Sequence, residues 1–152
     1  MYQIKGILGF SLMVVMIPLI TSEMNEGNYR IENVADGLHI TTEGGNSPFA
    51  RIVGENWQNF GEQKWSVEKS GPKAYFLSPE KYRTNNALSY FRDPAQKYPV
   101  PQKWALIAVR DGYQIQNLRT ELCLISSGRR REILEGKCDQ YLRDRHWRFT
   151  TV

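Results

Sequence analysis

Gln63-Lys64-Trp65 returns as Gln102-Lys103-Trp104, and Arg145-His146-Trp147 stands as a third copy near the end of the chain. Two residues after each Trp comes an apolar side chain: Val67, Leu106 and Phe149. The Trp-to-Trp spacings are 39 and 43. Spacing of this order marks one supersecondary unit copied along the chain, each copy burying its apolar face against its neighbours. Three such units are predicted, over about 28–70, 71–110 and 111–152.

Laid over each other, the outer units align without a gap. Tyr29-Arg30-Ile31-Glu32-Asn33 continuing to Leu38-His39-Ile40 matches Tyr113-Gln114-Ile115-Gln116-Asn117 continuing to Leu122-Cys123-Leu124. Apolar and polar residues alternate in both, the period of a strand with one buried face. Asp36-Gly37 supplies the turn between the first two strands. A Gly-rich turn follows in each, then a third strand, expected at Phe49 to Val53 and at Arg131 to Leu134, and a last strand opened by the Trp. In the middle unit Tyr75-Phe76-Leu77 opens and Trp104 to Val109 closes. Between them, Tyr82 to Pro101 carries Pro94, Pro99 and Pro101, which argue for loop or sheet edge. No stretch after the first twenty residues shows a long helical period. The prediction is an all-β chain, a β-trefoil: a short closed barrel capped by hairpins, whose closure removes open sheet edges. Trp65, Trp104 and Trp147 are then core residues.

The N-terminal stretch is of another kind. Met1 to Lys5 carries one positive charge, Gly6 to Ile20 is apolar, and Thr21-Ser22 are small. That order predicts a secretory signal peptide over 1–22, shorter than a bilayer span, with the single trefoil domain at 23–152. Secretion places the protein in an oxidising compartment. The two cysteines, Cys123 and Cys138, fall on neighbouring strands of the third unit and are expected to pair. With only His39 and His146 beside them they make a poor metal set, so no metal and no cofactor is expected. The formal net charge of +4 is too modest to imply nucleic-acid binding.

At unit spacing, the Gln-x-Trp copies resemble the signature of the ricin-type lectin-like β-trefoil family, over about residues 28–150. Cys123-Leu124 and Cys138 match that family's disulfide pattern, and the resemblance implies the same bridge. In unit one the matching places hold His39 and Trp57, so an aromatic contact would replace it. The family's sugar site uses an Asp after the Cys-Leu pair. Here that place holds Ile125 in unit three and Thr41 in unit one. An apolar side chain cannot accept the sugar's hydrogen bonds, and a site built on such bonds loses most of its selectivity without them. The resemblance therefore implies the scaffold without the family's sugar site.

Nucleophilic catalysis needs a Ser or Cys beside an oriented His. Neither His39, on a core-facing position, nor His146, beside a core Trp, offers this, and phosphate loops and metal-binding His pairs are absent from the sequence. A non-enzymatic role is expected. The pronounced charge feature is Ser126-Ser127-Gly128-Arg129-Arg130-Arg131, a turn tip suited to sulfated glycans, anionic lipid heads or an acidic receptor face. Tyr90 and Phe91 in the middle loop are the second candidate contact residues. The expectation is a secreted, monomeric effector that binds an extracellular protein or cell-surface receptor, or an anionic glycan, without inserting in a membrane. In length, leader and small basic mature chain it is similar to the salivary erythema-inducing vasodilators of black flies, which implies a toxin-like vasoactive protein. The alternatives are a lectin with a non-standard pocket and a trefoil protease inhibitor.

Overall fold

A computed structural model describes residues 9, 11–14, 23–43, 51–80 and 102–152. Its strands are β1 (Gly27–Asn33), β2 (His39–Glu43), β3 (Arg51–Glu55), β4 (Trp65–Lys69), β5 (Tyr75–Pro79), β6 (Trp104–Val109), β7 (Gly112–Asn117), β8 (Cys123–Ile125), β9 (Leu134–Gly136) and β10 (Trp147–Thr151). All pairings between them are antiparallel. Along β1 the alternation does what the period requires: Tyr29, Ile31 and Asn33 are buried while Arg30 and Glu32 are half-buried.

Six strands close on themselves in the order β1, β4, β5, β6, β7, β10 and back to β1. The hairpin β2–β3 rises from β1, and β8–β9 rises from β7. The chain between β5 and β6, with Tyr82, Tyr90, Phe91 and Tyr98, lies outside the described residues.

Register makes the threefold relation explicit. Trp65 sits opposite Tyr29 of its own unit and Pro79 of the next. Trp104 sits opposite Tyr75 and Asn117, and Trp147 opposite Tyr113 and Asn33. Each of these three Trp thus begins the strand that ties one unit to its successor. All three are buried, at 1% exposure or less. The indole N–H of Trp65 donates to the Ile40 carbonyl (2.8 Å) and that of Trp147 to the Leu124 carbonyl (3.1 Å), equivalent places in units one and three. Val67 is fully buried, while Leu106 and Phe149 pack against the core from its edge. Phe149 lies edge-on between Tyr29 and Tyr113, at 5.9 and 5.7 Å between ring centroids.

Asn33 and Asn117 are buried because each builds the turn that follows it. The Asn33 side-chain oxygen accepts from the Ala35 and Asp36 N–H groups, and Asn117 does the same for Arg119 and Thr120. The residue that ends the turn has positive φ in both copies, Gly37 at 72° and Glu121 at 62°. Single 3₁₀ turns, Gly61–Gln63 and Arg143–Arg145, precede the closing strands of units one and three.

The third strands depart from the sequence reading. Phe49 lies outside the described residues; β3 (Arg51–Glu55) continues two residues past the expected Val53, and β9 runs only from Leu134 to Gly136. Residues expected to open β9 instead bond across to unit one. Arg130 N–H donates to Gly54 O (2.7 Å), Gly54 N–H to Arg131 O (3.2 Å) and Ile133 N–H to Ile52 O (2.9 Å). The segment satisfies its backbone on a neighbouring unit, so it does not extend its own hairpin.

Candidate functional site

The cysteines form the Cys123–Cys138 disulfide, with 5.0 Å between Cα atoms. In unit one the corresponding pair is His39 and Trp57, whose ring centroids lie 5.2 Å apart. Trp57 is half-buried, and the Arg30 guanidinium covers its ring at 5.3 Å. His39 is buried and, among the described residues, neither ring nitrogen has a hydrogen-bond partner; that burial pushes its pKa below 6.5.

Arg145, the departure from Gln-x-Trp, takes over the glutamine's work. Buried Gln63 donates from Nε2 to the Asn56 carbonyl at 2.7 Å, and Asn56 directly precedes Trp57. Arg145 donates from Nη1 to the Lys137 carbonyl at 2.6 Å, and Lys137 directly precedes Cys138. Either side chain pins the loop that carries the second partner of the bridge position.

At the two places where the resembling family keeps its sugar acceptor, nothing is offered outward. The Thr41 hydroxyl donates to the His39 carbonyl (3.0 Å) and accepts from Gln63 Nε2 (3.2 Å). Ile125 lies over Gly136, where an added Cβ would come within 2.6 Å of Ile125 Cδ1. One place is therefore spent on internal bonds and the other is filled with hydrocarbon.

His146 is buried with a partner at each ring nitrogen. Nδ1 faces the Asp111 carboxylate at 3.1 Å and Nε2 the Asp139 carbonyl at 3.0 Å, and Arg143 Nε also reaches Asp111 at 3.4 Å. The group ties the β6–β7 turn to the loop before β10. Among the described residues no cluster of three or more His, Cys, Asp or Glu side chains converges as a metal site would require.

The arginine tip is exposed, but it is not free of partners. Arg129 Nε donates to Glu55 Oε1 at 2.7 Å and Arg130 Nε to Glu55 Oε2 at 3.2 Å. These bonds, that from Arg129 foremost, hold the Glu55 carboxyl down at about 2. Arg131 is exposed and, among the described residues, has no carboxylate partner. Glu132 pairs with Arg51 at 3.9 Å, while Glu135 accepts from Asn117 Nδ2 at 3.2 Å. Sequence reasoning missed Glu55 entirely. It lies 74 residues before Arg129, in another unit, and no local pattern connects the two. Tyr90 and Phe91 lie outside the described residues.

No family model matches the chain, and no curated protein is similar to it at a significant level. Solved structures are similar in shape. The Rhizoctonia solani agglutinin shares 14% identity with a TM-score of 0.68, over 86% of this chain and 98% of that one. SeviL, solved bound to asialo-GM1 saccharide, shares 17% at a TM-score of 0.59, over 84% and 98%. A Culex salivary protein of the cysteine- and tryptophan-rich family shares 13% at 0.63, over 88% and 99%. With its closed ring of six strands and repeated Trp register, the chain has the β-trefoil fold.

Proposed function

We propose that the protein is a secreted, non-enzymatic β-trefoil effector that acts outside the cell, a toxin-like salivary protein acting on host vessels by binding a cell-surface target. The observation that carries this reading is a contrast within one scaffold. Thr41 is bonded inward and Ile125 is packed down at the sugar-acceptor places, while Arg129, Arg130 and Arg131 stand exposed at a turn tip of unit three. Recognition then rests on charge at a loop tip. Secretion is supported by the leader pattern of residues 1–22, by the Cys123–Cys138 bridge and by the salivary protein of the same fold. Most of the leader lies outside the described residues; Leu12, Met13 and Val14 are exposed and add nothing to the core.

The test is expression of the full chain in insect cells, N-terminal sequencing of the secreted product, and application of that product to precontracted vessel rings. Relaxation by wild type, lost on boiling, is the expected result. Intact Met1 on membrane-bound material, or no response at any dose, would reject the reading. A second reading, a lectin with a non-standard pocket, is favoured by glycan-bound SeviL sharing the fold. A glycan array separates it, since that reading requires neutral glycans among the hits.

A further inference from the structure

Glu55 ends β3 with its side chain only 13% exposed, and it divides its two oxygens between two arginines. Both arginines use Nε for this. Among the described residues the terminal Nη atoms of Arg129 and Arg130 bond to no acceptor, and the side chains are 51% and 73% exposed. One carboxylate, itself fixed by the Asn56 N–H at 2.9 Å, thus holds two guanidinium forks side by side with their outer edges open.

The backbone beneath them is held as firmly. Residues 130–133 bond to β3, and the Cys123–Cys138 bridge closes the base of the loop. Arg130 keeps a left-handed φ of 60°, a conformation that side-chain-bearing residues rarely adopt. Strain of this kind persists where the surroundings over-determine it, and it clusters at binding sites. Counted with its ion-pair partners, the tip sets Arg129, Arg130, Arg131 and Arg51 against Glu55, Glu132 and Glu43, an excess of one positive charge. That excess falls on the tip because Glu43 and Glu132 lie at 3.6 and 3.9 Å from Arg51.

Guanidinium forks held in advance suit an oxyanion that presents two or more oxygens, and holding them in advance lowers the ordering cost of binding. From Ser126 to Glu132 the tip has no apolar side chain. Protein partners anchor on aromatic or aliphatic groups, and the tip itself supplies none; the nearest exposed one in sequence is Leu134, in β9. We propose that Glu55 organises Arg129 and Arg130, with Arg131 beside them, into a docking site for the sulfate groups of an extracellular sulfated polysaccharide. The site rests on the effector reading above and gives that reading its partner class.

Heparin is the probe. The secreted protein is eluted from immobilised heparin by a salt gradient, and affinity is measured by calorimetry. The variants are Arg129→Ser/Arg130→Ser, Glu55→Gln, and Arg110→Ser/Arg148→Ser, which removes equal charge from other exposed strands and turns. Thermal melting confirms that each is folded. The tip double variant should bind about tenfold more weakly than the charge-matched control, as expected when bonds to charged groups are lost. Glu55→Gln is the sharper arm, because it makes the protein more basic. Overall charge alone predicts later elution; an organised fork predicts earlier elution. Later or unchanged elution of Glu55→Gln, or equal losses in the two double variants, would overturn the proposal. So would cell binding that an acidic peptide blocks and heparin does not. Vessel assays on the same samples keep the two readings apart. Tip-dependent retention without a vessel response rejects the effector alone; a response without tip-dependent retention rejects the docking site alone.

Discussion

Replacing Trp147 by Ala removes the side chain that starts β10 and lies opposite both Asn33 and Tyr113. Trp147 is fully buried, so the loss of transfer energy and the cavity left behind should cost about 3–5 kcal/mol. The Leu124 carbonyl also loses its indole donor, and a stranded buried acceptor costs about 1–3 kcal/mol. The two terms overlap, because relaxation that fills the cavity can admit water to the carbonyl. A total near 4–5 kcal/mol is expected, against a stability of about 5–15 kcal/mol for a domain. Trp147→Phe keeps most of the hydrocarbon and loses the N–H, and should cost about 1–2 kcal/mol. Urea unfolding followed by far-ultraviolet circular dichroism measures both without relying on the fluorescence of the other tryptophans. If Trp147→Ala stayed within about 0.5 kcal/mol of wild type, the size of an ordinary surface substitution, the core assignment would fail. If that variant also lost binding, the indole would be a ligand contact.

Other outcomes follow from the same geometry. Cys138→Ser should lower stability by about 3 kcal/mol on the chain-entropy model yet leave a cooperative domain, because His39 and Trp57 hold unit one without a bridge; free thiols in the secreted wild type would contradict this. Gly112→Ala drives a Cβ into the Trp147 carbonyl oxygen, and crowding against backbone should cost about 2–3 kcal/mol in the same urea assay. His39 has a folded pKa lowered chiefly by burial, so its contribution is full above the ordinary value of 6.5 and is lost as pH falls through the folded value. The urea midpoint should therefore drop between pH 7.5 and pH 5.5 by more in wild type than in His39→Phe, and an equal drop would show that the ring takes up its proton freely.

The fold was legible where the threefold copy prints itself as spacing. Three Trp with apolar partners, and Tyr-x-Ile-x-Asn at the head of both outer units, are enough to place most of the strands. Asn33 and Asn117 recur because each side chain builds the next turn, a local demand that leaves a local mark. What could not be read depends on partners remote in sequence. The bounds of β9 moved because Arg130 to Ile133 bond to unit one, and a strand pattern does not say which strand it will meet. Arg145 was visible as a departure from Gln-x-Trp, but its bond to the Lys137 carbonyl was not, since a longer side chain reaches the same backbone from the same place. The arginine tip was visible as charge, whereas its organiser, Glu55, sits among residues that give no hint of it. Tyr90 and Phe91 stay expectations from the sequence.

The most direct test of extracellular docking through the arginine tip is the binding of labelled secreted protein to cultured vascular cells, with wild type and an Arg129→Ser/Arg130→Ser/Arg131→Ser variant side by side. Wild-type binding should weaken as salt rises, because exposed charges are screened over about 10 Å at 0.1 M ionic strength. It should withstand an excess of free galactose, since neither Thr41 nor Ile125 offers an outward acceptor. The triple variant should bind far less while keeping most of its stability, its lost ion pairs with Glu55 being exposed on the arginine side. Unchanged binding by the folded triple variant, or binding abolished by galactose, would contradict the account.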